Sequence, residues 1–120
     1  MTNNPTFTKG LEYAIRIVNL YKYLSEQKGE RTMSKQLLRC GTSIGANISE
    51  ALSAESSADF IHKLAIAQKE SNETRYWLML LHQTEYINQQ EYQSMSNDCE
   101  ELRKIIVSII LTTKQKANKS

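Results

Sequence analysis

From about Thr8 to about Lys114 the chain places apolar residues at alternating three- and four-residue steps, the spacing of successive helix faces. In a first segment, about residues 8–28, Leu11, Ala14, Ile15, Ile17, Val18, Tyr21 and Leu24 form such a face, with Glu12, Arg16, Asn19 and Glu26 opposite. Gly29 stands where a left-handed glycine ends a helix. A second segment, about 32–54, repeats Leu37, Gly41, Ile44, Ile48 and Ala51, the seam of a helix lying nearly parallel to its neighbour. A third, about 57–85, begins at the capping pattern Ser56 to Asp59 and carries Phe60, Leu64, Ala67, Ser71, Thr74, Leu78 and Leu81. A fourth, about 89–114, opens on Asn88 to Glu91, a similar cap. It continues with Tyr92, Met95, Cys99, Leu102, Ile106 and Ile109, and ends in a basic tail expected to fray beyond Lys114. Four such helices joined by short loops predict an all-α protein, an antiparallel up-down-up-down four-helix bundle forming one domain over residues 1–120.

Composition narrows this further. The 120 residues include four Gly and one Pro, so Pro5 is followed by 115 residues without a proline. That excludes a β-sandwich or barrel, in which Gly/Pro-rich turns recur every 8–12 residues or so. The net charge of +2 conceals a segregation: residues 1–49 carry +4, residues 50–101 carry −7 and residues 102–120 carry +5. Such a pattern suits either a basic surface for nucleic acid or complementary surfaces on neighbouring copies; each run also reads simply as a solvated helix face. The N-terminus has neither the basic nor the apolar region of a secretion signal, and the most apolar run, Ile105 to Leu111, is far too short to cross a bilayer. A cytoplasmic protein is expected. Cys40 and Cys99 both fall in apolar stripes and are expected as buried thiols, with no partner residues at metal-ligand spacing.

Candidate chemistry is sparse. Gln36, Arg39, Ser43, Asn47 and Glu50 project within about an 80° arc beside the second segment's seam, a polar stripe suited to a hydrogen-bonded interface. On the third segment Ile66, Glu70, Glu73, Trp77 and Leu80 share a stripe, so two carboxylates accompany the sole tryptophan. Structural pairing with a cation such as Arg39 is the preferred reading over acid–base catalysis. A di-iron bundle needs two Glu-x-x-His units, and only Asp59-x-x-His62 is present. Arg75 and His82 lie seven apart on one helix face, the loose pattern of all-helical HEPN ribonucleases. That face looks solvated, and Tyr76 stands where a polar residue usually follows the Arg. No phosphate-binding loop or nucleophile elbow occurs. Gly41 and Gly45, set among Cys40, Ala46, Ser49 and Ala51, form a small-residue surface that another backbone can approach closely.

Gln36-Leu37-Leu38-Arg39-Cys40-Gly41-Thr42-Ser43-Ile44-Gly45-Ala46-Asn47-Ile48-Ser49-Glu50 resembles the signature of the bacterial four-helix-bundle proteins that include those encoded within 23S ribosomal RNA intervening sequences. The second half agrees, through Asp59-Phe60-Ile61-His62-Lys63-Leu64, Lys69-Glu70, Glu73-Thr74 and Trp77-Leu78. Cys40 and Ala51 replace an Ala and a Gly common at those positions, small for small. The resemblance implies Arg39, Ser43, Asn47, Glu50, Glu70, Glu73 and Trp77 as signature residues, read as structural or interface residues. It also implies homo-oligomers, typically pentameric barrels. A relative, the accessory variability determinant of diversity-generating retroelements, uses a basic pentamer to bind nucleic acid and a reverse transcriptase. The expected function is therefore a non-catalytic, homo-oligomeric scaffold without cofactor or metal that binds RNA or DNA, with Arg103, Lys104, Lys114 and Lys116 as phosphate contacts. The alternative is a protein-interaction module with no nucleic-acid role, and the third reading is a small ribonuclease.

Overall fold

The structure, a computed structural model, describes residues 3–119 and contains four helices: α1 (Pro5–Glu26), α2 (Met33–Ala51), α3 (Ser57–Gln83) and α4 (Gln89–Lys119). Each packs against the next and α4 returns to α1, closing an antiparallel up-down bundle 53 Å long and 22 Å across. Met1, Thr2 and Ser120 lie outside the described residues.

The helix ends follow local chemistry, and several differ from the pattern-based expectation. α1 starts three residues before Thr8, because Asn4 Oδ1 accepts from the Phe7 N–H at 2.9 Å and Pro5 occupies the first helical position, where no N–H is needed. It ends at Glu26, and the chain turns at Gly29, whose φ of +68° suits glycine. At the start of α2, Thr32 makes no side-chain cap; the buried Glu30 carboxylate instead accepts the N–H groups of Thr32, Met33 and Ser34 at 2.8–3.1 Å. α2 stops at Ala51, short of residue 54. α3 begins on Ser56, whose Oγ accepts from Asp59 N–H at 3.0 Å. Its end is a Schellman turn, with Tyr86 N–H bonded to Leu81 O and Glu85 N–H to His82 O, and Glu85 held at φ +68°. Asn88 and Glu91 cap α4 reciprocally, Glu91 N–H to Asn88 Oδ1 at 2.8 Å and Asn88 N–H to Glu91 Oε1 at 2.9 Å. The tail expected to fray from Lys114 is helical through Lys119: Lys, Gln and Ala are good helix formers, and cations at this end oppose the helix dipole favourably.

The expected core stripe of α2, Leu37, Gly41, Ile44, Ile48 and Ala51, is buried and faces Leu64, Ala67, Ser71, Thr74, Leu78 and Leu81 of the α3 stripe, whose first member, Phe60, is only half-buried. α4 contributes Met95, Cys99, Leu102, Ile106 and Ile110, while Ile109 is only half-buried, because 3.6-residue geometry drifts off a strict heptad. α1 departs most. Its buried face is Gly10, Tyr13, Ile17 and Leu24; Leu11 and Ile15, expected inside, are 49% and 53% exposed. Between α1 and α2 the backbones nearly touch, and a Cβ placed on Gly45 would lie 3.0 Å from Gly10 O. At Gly41 the close neighbour is a side chain, with Ile17 2.7 Å from a notional Cβ.

Candidate functional site

The strongest polar constellation bridges α2 and α3. Arg39, projecting from α2, pairs with Glu73 and places Nη1 3.5 Å from Glu70 Oε2; Trp77 Nε1 donates to the same Glu73 carboxylate at 3.1 Å. The four-residue step from Glu73 to Trp77 puts both on one face of α3, and the Tyr76 ring stands edge-on to Trp77 at 5.0 Å. Lys63 and Glu50 form a second bridge at 3.2 Å along the same groove. Ser43 and Asn47 do not join this network. Ser43 Oγ donates to Arg39 O at 2.7 Å and Asn47 Nδ2 to Ser43 O at 2.9 Å, so both satisfy carbonyls of their own helix. Arg39, Glu70, Glu73 and Trp77 are thus brought together and held by one another.

Charge segregation along the chain has an intramolecular explanation. Of the acidic middle's carboxylates, Glu70 and Glu73 meet Arg39, Asp98 meets Arg16, and Glu101 meets Lys9 at 2.7 Å, all cations of the first 49 residues. Glu100 takes Arg75 at 3.1 Å and Arg103, whose Nε lies 2.9 Å from Glu100 Oε2; the Arg103 guanidinium holds the Glu100 carboxyl below its ordinary range. Arg103, expected as a phosphate contact, is engaged with Glu100 in this fold. Lys104 and Lys114 are exposed and form no ion pair among the described residues, and Lys116 is exposed on the last turns of α4. Arg75 and His82 are drawn to different partners: Arg75 to Glu100, and His82 to Tyr92, whose ring it stacks on at 4.7 Å.

The cysteines are free and fully buried. Burial pushes both thiols up to about 11, and that keeps them protonated. Cys99 Sγ donates to Ser71 O at 3.4 Å beside Tyr13, whereas Cys40 sits near Thr74 between α2 and α3. Among the described residues no group of His, Cys, Asp and Glu is arranged to hold a metal ion, and no helix is long and apolar enough to cross a membrane.

Beside α2, the outer face of α1 is what sequence reasoning missed. Leu11 and Ile15, with half-buried Ala14 and Val18, adjoin Leu38, Thr42 and exposed Ala46 of α2, and none of these side chains is charged. The signal was available in α1's second apolar stripe, which exceeds what one core face can absorb. Elsewhere Tyr76 and Met79 on α3 and Leu111 on α4 are at least half-exposed.

The fold is an antiparallel four-helix bundle with ion pairs between its helices and an uncharged patch on the outer face of α1 beside α2. The chain belongs to the 23S rRNA-intervening sequence protein family, whose sequence profile it matches over residues 2–108. It is similar to a protein of unknown function from the S23 ribosomal protein family of Bacteroides thetaiotaomicron. The two share 59% identity and superpose with a TM-score of 0.87, over 88% of this chain and 97% of that one. Among curated proteins none matches.

Proposed function

We propose that this protein is a non-catalytic scaffold that assembles with copies of itself through the uncharged outer face of α1 and α2. The observation that carries this reading is the exposure of Leu11 and Ile15 beside Ala46. Branched aliphatic side chains left in water at adjacent helix turns favour a covered state, at roughly 25 cal/mol per Å² removed from water. Internal pairing of the acidic middle redirects the expected contact from charge complementarity to apolar packing. Solution mass is the test. A mass of several chains, five for the pentamer that the resemblance implies, is expected, and Ile15→Glu should shift it to one chain without loss of helicity. A wild-type chain that is monomeric at high concentration overturns the reading.

A second reading, RNA binding by the assembly, rests on Lys104 and Lys114 standing exposed and outside the ion pairs, with Lys116 also exposed. Repeated around an assembly, these cations form a sequence-independent phosphate surface. Retention of structured RNA at low salt that weakens with added salt, and weakens further for Lys104→Ala with Lys114→Ala, is expected. No retention at low salt rejects RNA and leaves a module that binds only protein.

A further inference from the structure

Ion pairs cross three of the bundle's seams, α2–α3, α3–α4 and α1–α4, but only the α1–α4 seam joins helices with no loop between them. Along it lies a cleft of about 270 Å³ lined by Lys9, Glu12, Tyr13, Arg16, Asp98, Glu101 and Leu102. The seam is bridged by two ion pairs, Lys9 with Glu101 and Arg16 with Asp98, whose side chains are all between 39% and 58% exposed. Arg16 Nη2 also donates to Ser94 Oγ at 2.9 Å. Beneath them one polar link crosses the interior, from Tyr13 Oη to Met95 O at 3.0 Å. α1 and α4 are the first and last helices, so no loop joins them, whereas each of the other seams is tied by a connection at one end.

We propose that the α1–α4 seam is a built-in opening of the bundle, tuned by ionic strength, through which the interior around Cys99 becomes intermittently accessible while the α2–α3 half stays closed. Exposed ion pairs are screened by salt, and with no loop across it this seam parts without unwinding a helix or unfolding the rest. Cys99 lies between Tyr13 of α1 and the Ser71 carbonyl of α3, so it borders the α1–α4 seam, whereas Cys40 lies beside Thr74 between α2 and α3. Both thiols are fully buried and both are raised to about 11 by that burial, so a difference in their reactivity reports access rather than intrinsic chemistry.

The test labels the intact protein with N-ethylmaleimide at fixed pH and follows each cysteine by peptide mass spectrometry. Cys99 is expected to react at least about tenfold faster than Cys40. Raising NaCl from about 50 to about 500 mM, which cuts the Debye length roughly threefold, should speed Cys99 by about two- to fivefold and leave Cys40 unchanged. Arg16→Gln should reproduce the faster Cys99 reaction at low salt and blunt its salt response. Equal rates for the two thiols, or a Cys99 rate indifferent to salt, overturn the proposal. The readout does not depend on whether copies associate through α1 and α2, because the labelled seam is on the opposite side of α1.

Discussion

Gly10 and Gly45 bring the backbones of α1 and α2 into contact: a Cβ on Gly10 would sit 3.1 Å from Gly45 Cα, and one on Gly45 3.0 Å from Gly10 O. Each glycine inside a helix costs about 1 kcal/mol of propensity relative to Ala, and the close approach is what that cost permits. Gly45→Val should destabilise the bundle by about 2–3 kcal/mol through forced separation of the helices. A thermal midpoint lowered by roughly 10 °C checks it, and an unchanged midpoint would show that the helices separate freely.

Glu30 predicts how the fold responds to acid. Burial pushes its carboxyl up, but hydrogen bonds from the N–H groups of Met33, Ser34 and Thr32 outweigh this, and the net shift is downward from 4.5. A carboxylate whose folded value lies below its unfolded one contributes stability above the unfolded value and loses it as pH falls through the folded value. Glu30→Ala should therefore cost about 1–2 kcal/mol at pH 7 and progressively less below about pH 4. Urea melts across pH 3–7 measure the difference; a constant gap across that range would mean the charge is irrelevant.

At the other end of the bundle Glu85 occupies a left-handed conformation, φ +68°, in the Schellman turn after α3. Left-handed backbone costs a residue with a Cβ about 1–2 kcal/mol, and glycine avoids most of it. Glu85→Gly should stabilise the protein by about 1 kcal/mol, read as a higher urea midpoint with unchanged slope. A lower midpoint would reveal a contact of the Glu85 side chain that outweighs the backbone gain.

Trp77, the sole tryptophan, donates its indole N–H to Glu73, which also binds Arg39. Glu73→Ala should shift the fluorescence maximum and leave stability within about 1 kcal/mol, because the Arg39 side chain is half-exposed and exposed pairs contribute little. A loss of several kcal/mol would instead identify the network as a principal support of the α2–α3 seam.

Much of this architecture is legible in residue spacing, for physical reasons. The stripes of α2 and α3 are narrow and flanked by polar residues, so only one face of each could be buried, and each stripe is found inside except for half-buried Phe60. In α1 the apolar residues cover a broader arc. Periodicity alone averages the core face with the exposed one, which is why Leu11 and Ile15 were expected inside while Gly10 and Tyr13 passed unmarked. Arg39, Glu70, Glu73 and Trp77 could be anticipated as a set because each lies on a stripe bordering the same seam. Ser43 and Asn47 could not be separated from that set, since a short polar side chain on a helix chooses between its own carbonyls and a neighbour only in the folded geometry. The pairing of Arg103 is hidden in the sequence for a related reason. A tally of charge along the chain does not see that Glu100, three residues earlier, takes the guanidinium.

By itself the sequence determined four helices, their order and the antiparallel bundle, because helical periodicity, caps and the rarity of Gly and Pro are local properties that admit few arrangements. Which charges meet was decided only by tertiary structure: Lys9, Arg16 and Arg39 of the +4 segment meet Glu101, Asp98, Glu70 and Glu73 of the −7 segment across helix seams within one chain. The same holds for the closest contact. Gly45 could be marked as a place of close approach, but that Gly10 fills it depends on the register of two helices separated by a turn, and register emerges only when every seam of the bundle packs at once.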